Sequence, residues 1–139
     1  MILPMRKILL DKVALLIVVV FLTHLVATFF YLYWRFWWFD LLMHLLGGVW
    51  LGLFSAWFVF FSGYVSERVA TRRNIVLASL LTVVVLGGGW EVFEYVLGVA
   101  DSAAQTYSAD VSTDFLMDTL GALIASSYMI GFLSKKKGV

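Results

Sequence analysis

Four apolar stretches dominate this chain, at about residues 13–34, 38–62, 74–98 and 110–134. Each exceeds the roughly 20 residues that an α-helix needs to cross the hydrocarbon core of a bilayer. Water is absent there, so the backbone N–H and C=O groups must pair within the segment, and a helix achieves this for a single run. The expectation is therefore an all-α fold, a bundle of four transmembrane helices. With no linker-like stretch between the runs, the whole of 1–139 reads as one integral membrane domain. Hydrophobic residues make up 63% of the chain and charged ones 14%, which excludes an ordinary soluble domain. There is no Cys, hence no disulfide framework and no thiolate metal site.

The first run follows Arg6, Lys7 and Lys12, which is also the layout of a secretory signal. It is longer than a signal core and lacks a small-residue cleavage site, so it reads as a retained helix. Tyr31, Tyr33, Trp34, Trp37 and Trp38 cluster behind it as an interfacial aromatic belt, the alternative being a stacking platform for a substrate. Nine of the ten Lys and Arg residues lie in the N-terminus, in the loop at 63–73 and in the C-terminal tail; Arg35 is the exception. Four spans bring these three segments to one side, which the positive-inside rule makes cytoplasmic. Both termini are thus expected in the cytoplasm and the chain in the cell membrane. So few basic residues, all at membrane edges, give no footing for nucleic acid. The expected partner is the lipid bilayer, and a homo-oligomer stays open.

Seven of the nine acids lie in the opposite half: Asp40, Glu91, Glu94, Asp101, Asp110, Asp114 and Asp118. Asp110, Asp114 and Asp118 recur every fourth residue and run straight into an apolar helix. Steps of four keep them on one helix face, with Asp118 about 12 Å deeper than Asp110. Asp40 and His44 are four apart on the second span, and Glu91 and Glu94 three apart on the third, so each pair also shares a face. The up-and-down order of the spans brings all three sets to one depth. Ionisable residues at such depth should face the bundle interior or a wet cavity, each costing about 2.5–3.5 kcal/mol at the membrane centre.

Apart from Arg35 at the interface, no Lys or Arg stands in that region to neutralise them. Protonated carboxyls, a water-filled cavity or a bound cation would each serve. Carboxylates with one imidazole suit Mn, Fe(II), Mg or Zn, so a divalent metal ion is the expected cofactor. Asp40, His44, Glu91, Glu94, Asp110, Asp114 and Asp118 are the candidate ligands. A carboxylate-bridged di-metal site is conceivable in a helix bundle, but the Glu-x-x-His spacing of the di-iron class is absent, since Glu94 occupies the His position. Taken singly, most have a plainer reading, which Asp118 and Glu94, deepest and without basic partners, resist best. Asp40 and Asp110 could cap helices, His44 and Glu91 could bond between helices, and His24, mid-span on the first helix, reads as structural. Gly48 and Gly52 form a small-xxx-small pair suited to close helix approach. Gly87, Gly88 and Gly89 fit either close packing or a kink that makes room beside Glu91.

The motifs 39–48 (FDLLMHLLGG), 90–94 (WEVFE) and 110–122 (DVSTDFLMDTLGA) follow one another in an order that resembles the YjdF-like family of small membrane proteins and, more distantly, the VanZ-like family. The resemblance covers about the last two-thirds of the chain. It implies a polytopic bundle, marks Asp40, His44, Glu91, Asp114 and Asp118, and for VanZ-like members implies a link to glycopeptide resistance at the cell envelope. In two places this chain departs from the family pattern: it lacks the basic residue after the first Asp, and it has Asp118 where VanZ-like chains often have Asn. Both departures make the site more acidic.

The functional expectation is a divalent-metal site in the extracytoplasmic half, used for metal-dependent hydrolysis or group transfer on a lipid or lipid-linked substrate, with Glu94 as ligand or general base. Cation or proton transport, or metal storage, is the second class. It needs acids in the cytoplasmic half, where only Asp11 and Glu67 are found, both at the edge. A structural or partner-binding membrane subunit is the third.

Overall fold

The computed structural model describes residues 2–65, 69–98 and 107–137. Its helices are α1 (Ile2–Phe29), α2 (Leu32–Arg35), α3 (Phe39–Phe60), α4 (Arg72–Thr82), α5 (Gly88–Leu97) and α6 (Tyr107–Lys137), with a π-helical turn at Val83–Gly87 joining α4 to α5. No strand occurs among the described residues. Among the described residues, four helical spans are long and apolar enough to cross a membrane: Pro4–Phe29, Phe39–Phe60, Arg72–Leu97 and Ser108–Lys135. The expected all-α, four-span class is the one that forms.

Several boundaries differ from the sequence expectation. The first helix starts at Ile2 rather than near residue 13. Pro4 lies in its first turn, where an N–H would have no intrahelical acceptor anyway, so nothing stops the helix extending to the chain's basic start. It also ends earlier, at Phe29 instead of 34. Tyr31 takes a left-handed conformation at φ 56°, which breaks the helix and leaves α2 as a separate single turn. Thr71 caps α4 by accepting from the Asn74 N–H at 3.2 Å, and Gly98 at φ 65° ends α5. The last helix starts at Tyr107, so part of the expected 99–109 loop is helical. The loop residues Glu67, Arg68, Asp101 and Gln105 lie outside the described residues.

The apolar core gathers where the start of α1, the end of α3, the start of α4 and the end of α6 meet. Met5, Leu9, Val13, Leu53, Ala56, Ile75, Ala125 and Met129 are all buried there. Met5, Leu9 and Val13 repeat every four residues, one stripe of α1 turned inward. Two indoles fasten that stripe, Trp50 donating to the Val13 carbonyl at 3.1 Å and Trp57 to the Arg6 carbonyl at 3.2 Å. Farther along α1, Leu15, Val18, Leu22, Leu25 and Phe29 are exposed, as suits a surface wetted by lipid.

The tightest crossing is α3 against α6. A Cβ on Gly48 would collide with the Asp118 carbonyl, and one on Gly121 with the Leu45 carbonyl. A Cβ on Gly52 would lie 2.7 Å from that of Ala125. The expected small-residue pair thus acts on α6, and Gly121 answers it from the other side. This contact sets the distance across which Asp114 and Asp118 face His44.

Candidate metal centre

Asp40 stands in the first turn of α3, where the positive end of the helix dipole favours a carboxylate, and His44 follows one turn deeper. From α6, Asp114 and Asp118 approach the same imidazole. Its Nε2 lies 3.9 Å from Asp40 Oδ1 and 3.8 Å from Asp114 Oδ1, while its Nδ1 lies 3.6 Å from Asp118 Oδ1. All three separations exceed hydrogen-bond length. Donor atoms of Asp40, His44 and Asp114 lie within 4.8 Å of one another, as do those of His44, Glu91 and Glu94. His44 belongs to both groups. Asp110 and Asp118 belong to neither: Asp110 is half-buried one turn above Asp114, and Asp118 faces the far nitrogen of the ring.

These groups are deeply set. His44, Glu91, Asp114 and Asp118 are 8%, 5%, 2% and 5% exposed. Glu91 Oε1 and Asp114 Oδ1 are buried without a hydrogen-bond partner among the described residues. Such atoms are costly unless something satisfies them. Asp40 and Glu94 are only half-buried, so the cluster grades from a closed floor at Asp114 to an open edge. Among the described residues, the only ion pairs these acids make within 4.0 Å are with His44.

On sequence alone the glycine triplet fits either packing or making room, and both occur. A Cβ on Gly87 would lie 2.9 Å from Asp118 Oδ2, so this glycine vacates the space into which Asp118 reaches. One on Gly88 would touch the Phe115 ring at 3.3 Å, whereas Gly89 meets nothing within 4 Å. Gly87 also closes the π-turn. The extra residue of a π-turn advances everything after it by about 100° around the axis, so the bulge decides which way Glu91 and Glu94 point. Bulges of this kind often accompany functional sites, and no periodicity in the sequence announces one.

Tyr33, expected in the aromatic belt, has a more specific place. Its ring packs edge-on against Phe39 at 5.3 Å, and its hydroxyl shares a 2.7 Å hydrogen bond with His24 Nδ1. Burial, and then the Asp40 and Glu94 carboxylates, push the phenol up to about 12, so it stays protonated at physiological pH. The bond gives His24, otherwise exposed on the lipid-facing part of α1, a polar partner.

Four membrane-crossing helices carrying a carboxylate and imidazole cluster at one end define a small multi-pass membrane protein. The chain belongs to the family described as "Predicted membrane protein (DUF2238)", which it matches over residues 1–135. No match is found among curated proteins, and none among solved structures.

Proposed function

We propose that the cluster binds a divalent metal ion and uses it for hydrolysis or group transfer on a lipid or lipid-linked substrate. The observation that carries the metal reading is the spacing around His44. Two donors about 2.1 Å from an ion lie roughly 3–4 Å apart. Asp40 and Asp114 stand 3.9 and 3.8 Å from Nε2, too far to bond it directly and suitably placed to share an ion with it. A polar core satisfied by its own hydrogen bonds would have closed those gaps. The buried, unpartnered Asp114 Oδ1 points the same way.

Within this reading Asp40, His44 and Asp114 are ligands through one nitrogen of the ring. Asp118 faces the other nitrogen at 3.6 Å, where its charge favours a proton on Nδ1 and so leaves Nε2 free for the ion. Glu91 and Glu94 extend the donor set. Glu94, half-buried at the open edge, serves as ligand or general base. A metal held here would polarise a phosphoryl or acyl oxygen and lower the pKa of a bound water. Beside Glu94, α5 exposes Trp90, Phe93 and Leu97, an apolar surface that favours a substrate arriving from the bilayer. Transport is less well supported, because the other end of the bundle is closed by the apolar cluster around Met5, Leu9 and Met129. Kinship with the YjdF-like and VanZ-like proteins rests on the shared motif order and would bring Asp40, His44, Glu91, Asp114 and Asp118 into one functional set.

Elemental analysis of purified wild type, Asp114→Ala and Glu94→Ala tests the metal, with bound ion expected in the first and at least a tenfold loss of affinity in Asp114→Ala. Metal content at zero in all three would end the proposal. Metal-dependent release of phosphate from a lipid phosphate, lost in Glu94→Ala while an ion at Asp40, His44 and Asp114 remains, separates an enzyme from a structural subunit.

A further inference from the structure

We infer that the centre holds two divalent ions, one in each of two donor groups that meet at His44; this rests on the metal reading above and goes beyond it. The donors fall into two groups of the same make-up. One, from α3 and α6, contains the half-buried Asp40 and the buried Asp114; the other, drawing on α3 and α5, contains the half-buried Glu94 and the buried Glu91. Each group includes one buried carboxylate oxygen with no hydrogen-bond partner among the described residues, Asp114 Oδ1 in the first and Glu91 Oε1 in the second. The two oxygens stand on different helices, α6 and α5, one in each donor group.

The imidazole cannot serve both groups. Neutral His offers one lone-pair nitrogen. Nε2 faces Asp40 and Asp114, whereas Nδ1 faces Asp118. The ion of the first group takes Nε2, which leaves the second group an all-carboxylate site on Glu91 and Glu94. Oxygen-only sites of this kind suit Mn or Mg, so the second ion is the harder of the two.

Charge leads to the same count. Asp40, Glu91, Glu94, Asp114 and Asp118 carry five negative charges when ionised, and a metal-bound His44 carries none. One divalent ion would leave three of those charges uncompensated in a low-dielectric setting, and a second reduces the excess to one. Uncompensated buried charge is the most expensive arrangement available to a membrane helix bundle.

The test uses the full chain in detergent, loaded with Mn(II) alone and desalted, with metal counted by elemental analysis and the spin state read by low-temperature EPR. Two ions per chain with an exchange-coupled signal are expected for wild type. Glu91→Gln/Glu94→Gln is expected to keep one ion with an uncoupled six-line signal, and Asp40→Asn/Asp114→Asn to keep one as well. One ion in wild type, or two without coupling, overturns the two-ion centre while leaving the metal reading intact. No ion in wild type overturns both. Any count other than one in a double variant that still elutes as the folded species also overturns it.

Discussion

His44 is the pivot of the cluster because both ring nitrogens have carboxylates in front of them and neither is close enough to bond. That arrangement makes the centre sensitive to protons. Carboxylates ordinarily titrate near pH 4 and imidazole near 6.5, and a protonated group no longer coordinates. A metal ion bound here would therefore be held at neutral pH and given up as pH falls, with near-complete release expected below about pH 4. Dialysis across pH 7 to 3.5 followed by elemental analysis checks this, and full occupancy at the acid end would contradict oxygen ligation. The pairing of Asp40 with His44 and the run Asp110, Asp114, Asp118 are visible in the sequence, because a charge inside an apolar helix stands out against its background. The division of labour among them is not. Spacing puts Asp114 and Asp118 on one face of α6, but only the packed position of α3 decides that one meets Nε2 and the other Nδ1.

At the scale of elements, the centre depends on how closely α3 and α6 approach. Gly121 is buried where any side chain would strike the Leu45 carbonyl, while a Cβ on Gly131, further along α6, would meet nothing within 4 Å. Gly121→Val should destabilise the bundle by about 1–3 kcal/mol or more, the usual penalty for overpacking. Gly131→Val should leave it nearly unchanged. Thermal unfolding in detergent compares them directly, and equal melting temperatures would mean that the crossing does not limit stability. The Gly48 and Gly52 pair is legible as a small-residue motif. The π-turn is not, since a one-residue slip in helical phase leaves hydropathy unaltered, and Val84, Val85 and Leu86 would be equally apolar in a regular helix.

For the whole molecule, the acids sit at one end of the bundle and the apolar cluster at the other, and the basic segments adjoin the apolar end. By the positive-inside rule the cluster is expected in the extracytoplasmic half. The natural absence of Cys makes this simple to test with Trp37→Cys and Lys135→Cys single variants. A membrane-impermeant maleimide applied to intact cells should label the first and reach the second only after permeabilisation. The opposite pattern would invert the topology and put the site on the cytoplasmic side.

The sequence by itself determined the all-helical, four-span architecture, because apolar length and unsatisfied backbone polarity leave a chain in lipid no other local solution. It also determined that carboxylates from three spans would reach one depth, since alternating direction follows from counting the spans. Tertiary structure alone decided where α1 starts and breaks, which nitrogen of His44 faces which acid, and the rotation of Glu91 and Glu94 imposed by the π-turn. Those features depend on contacts between distant residues and on a single extra backbone step, and neither leaves a mark in local composition.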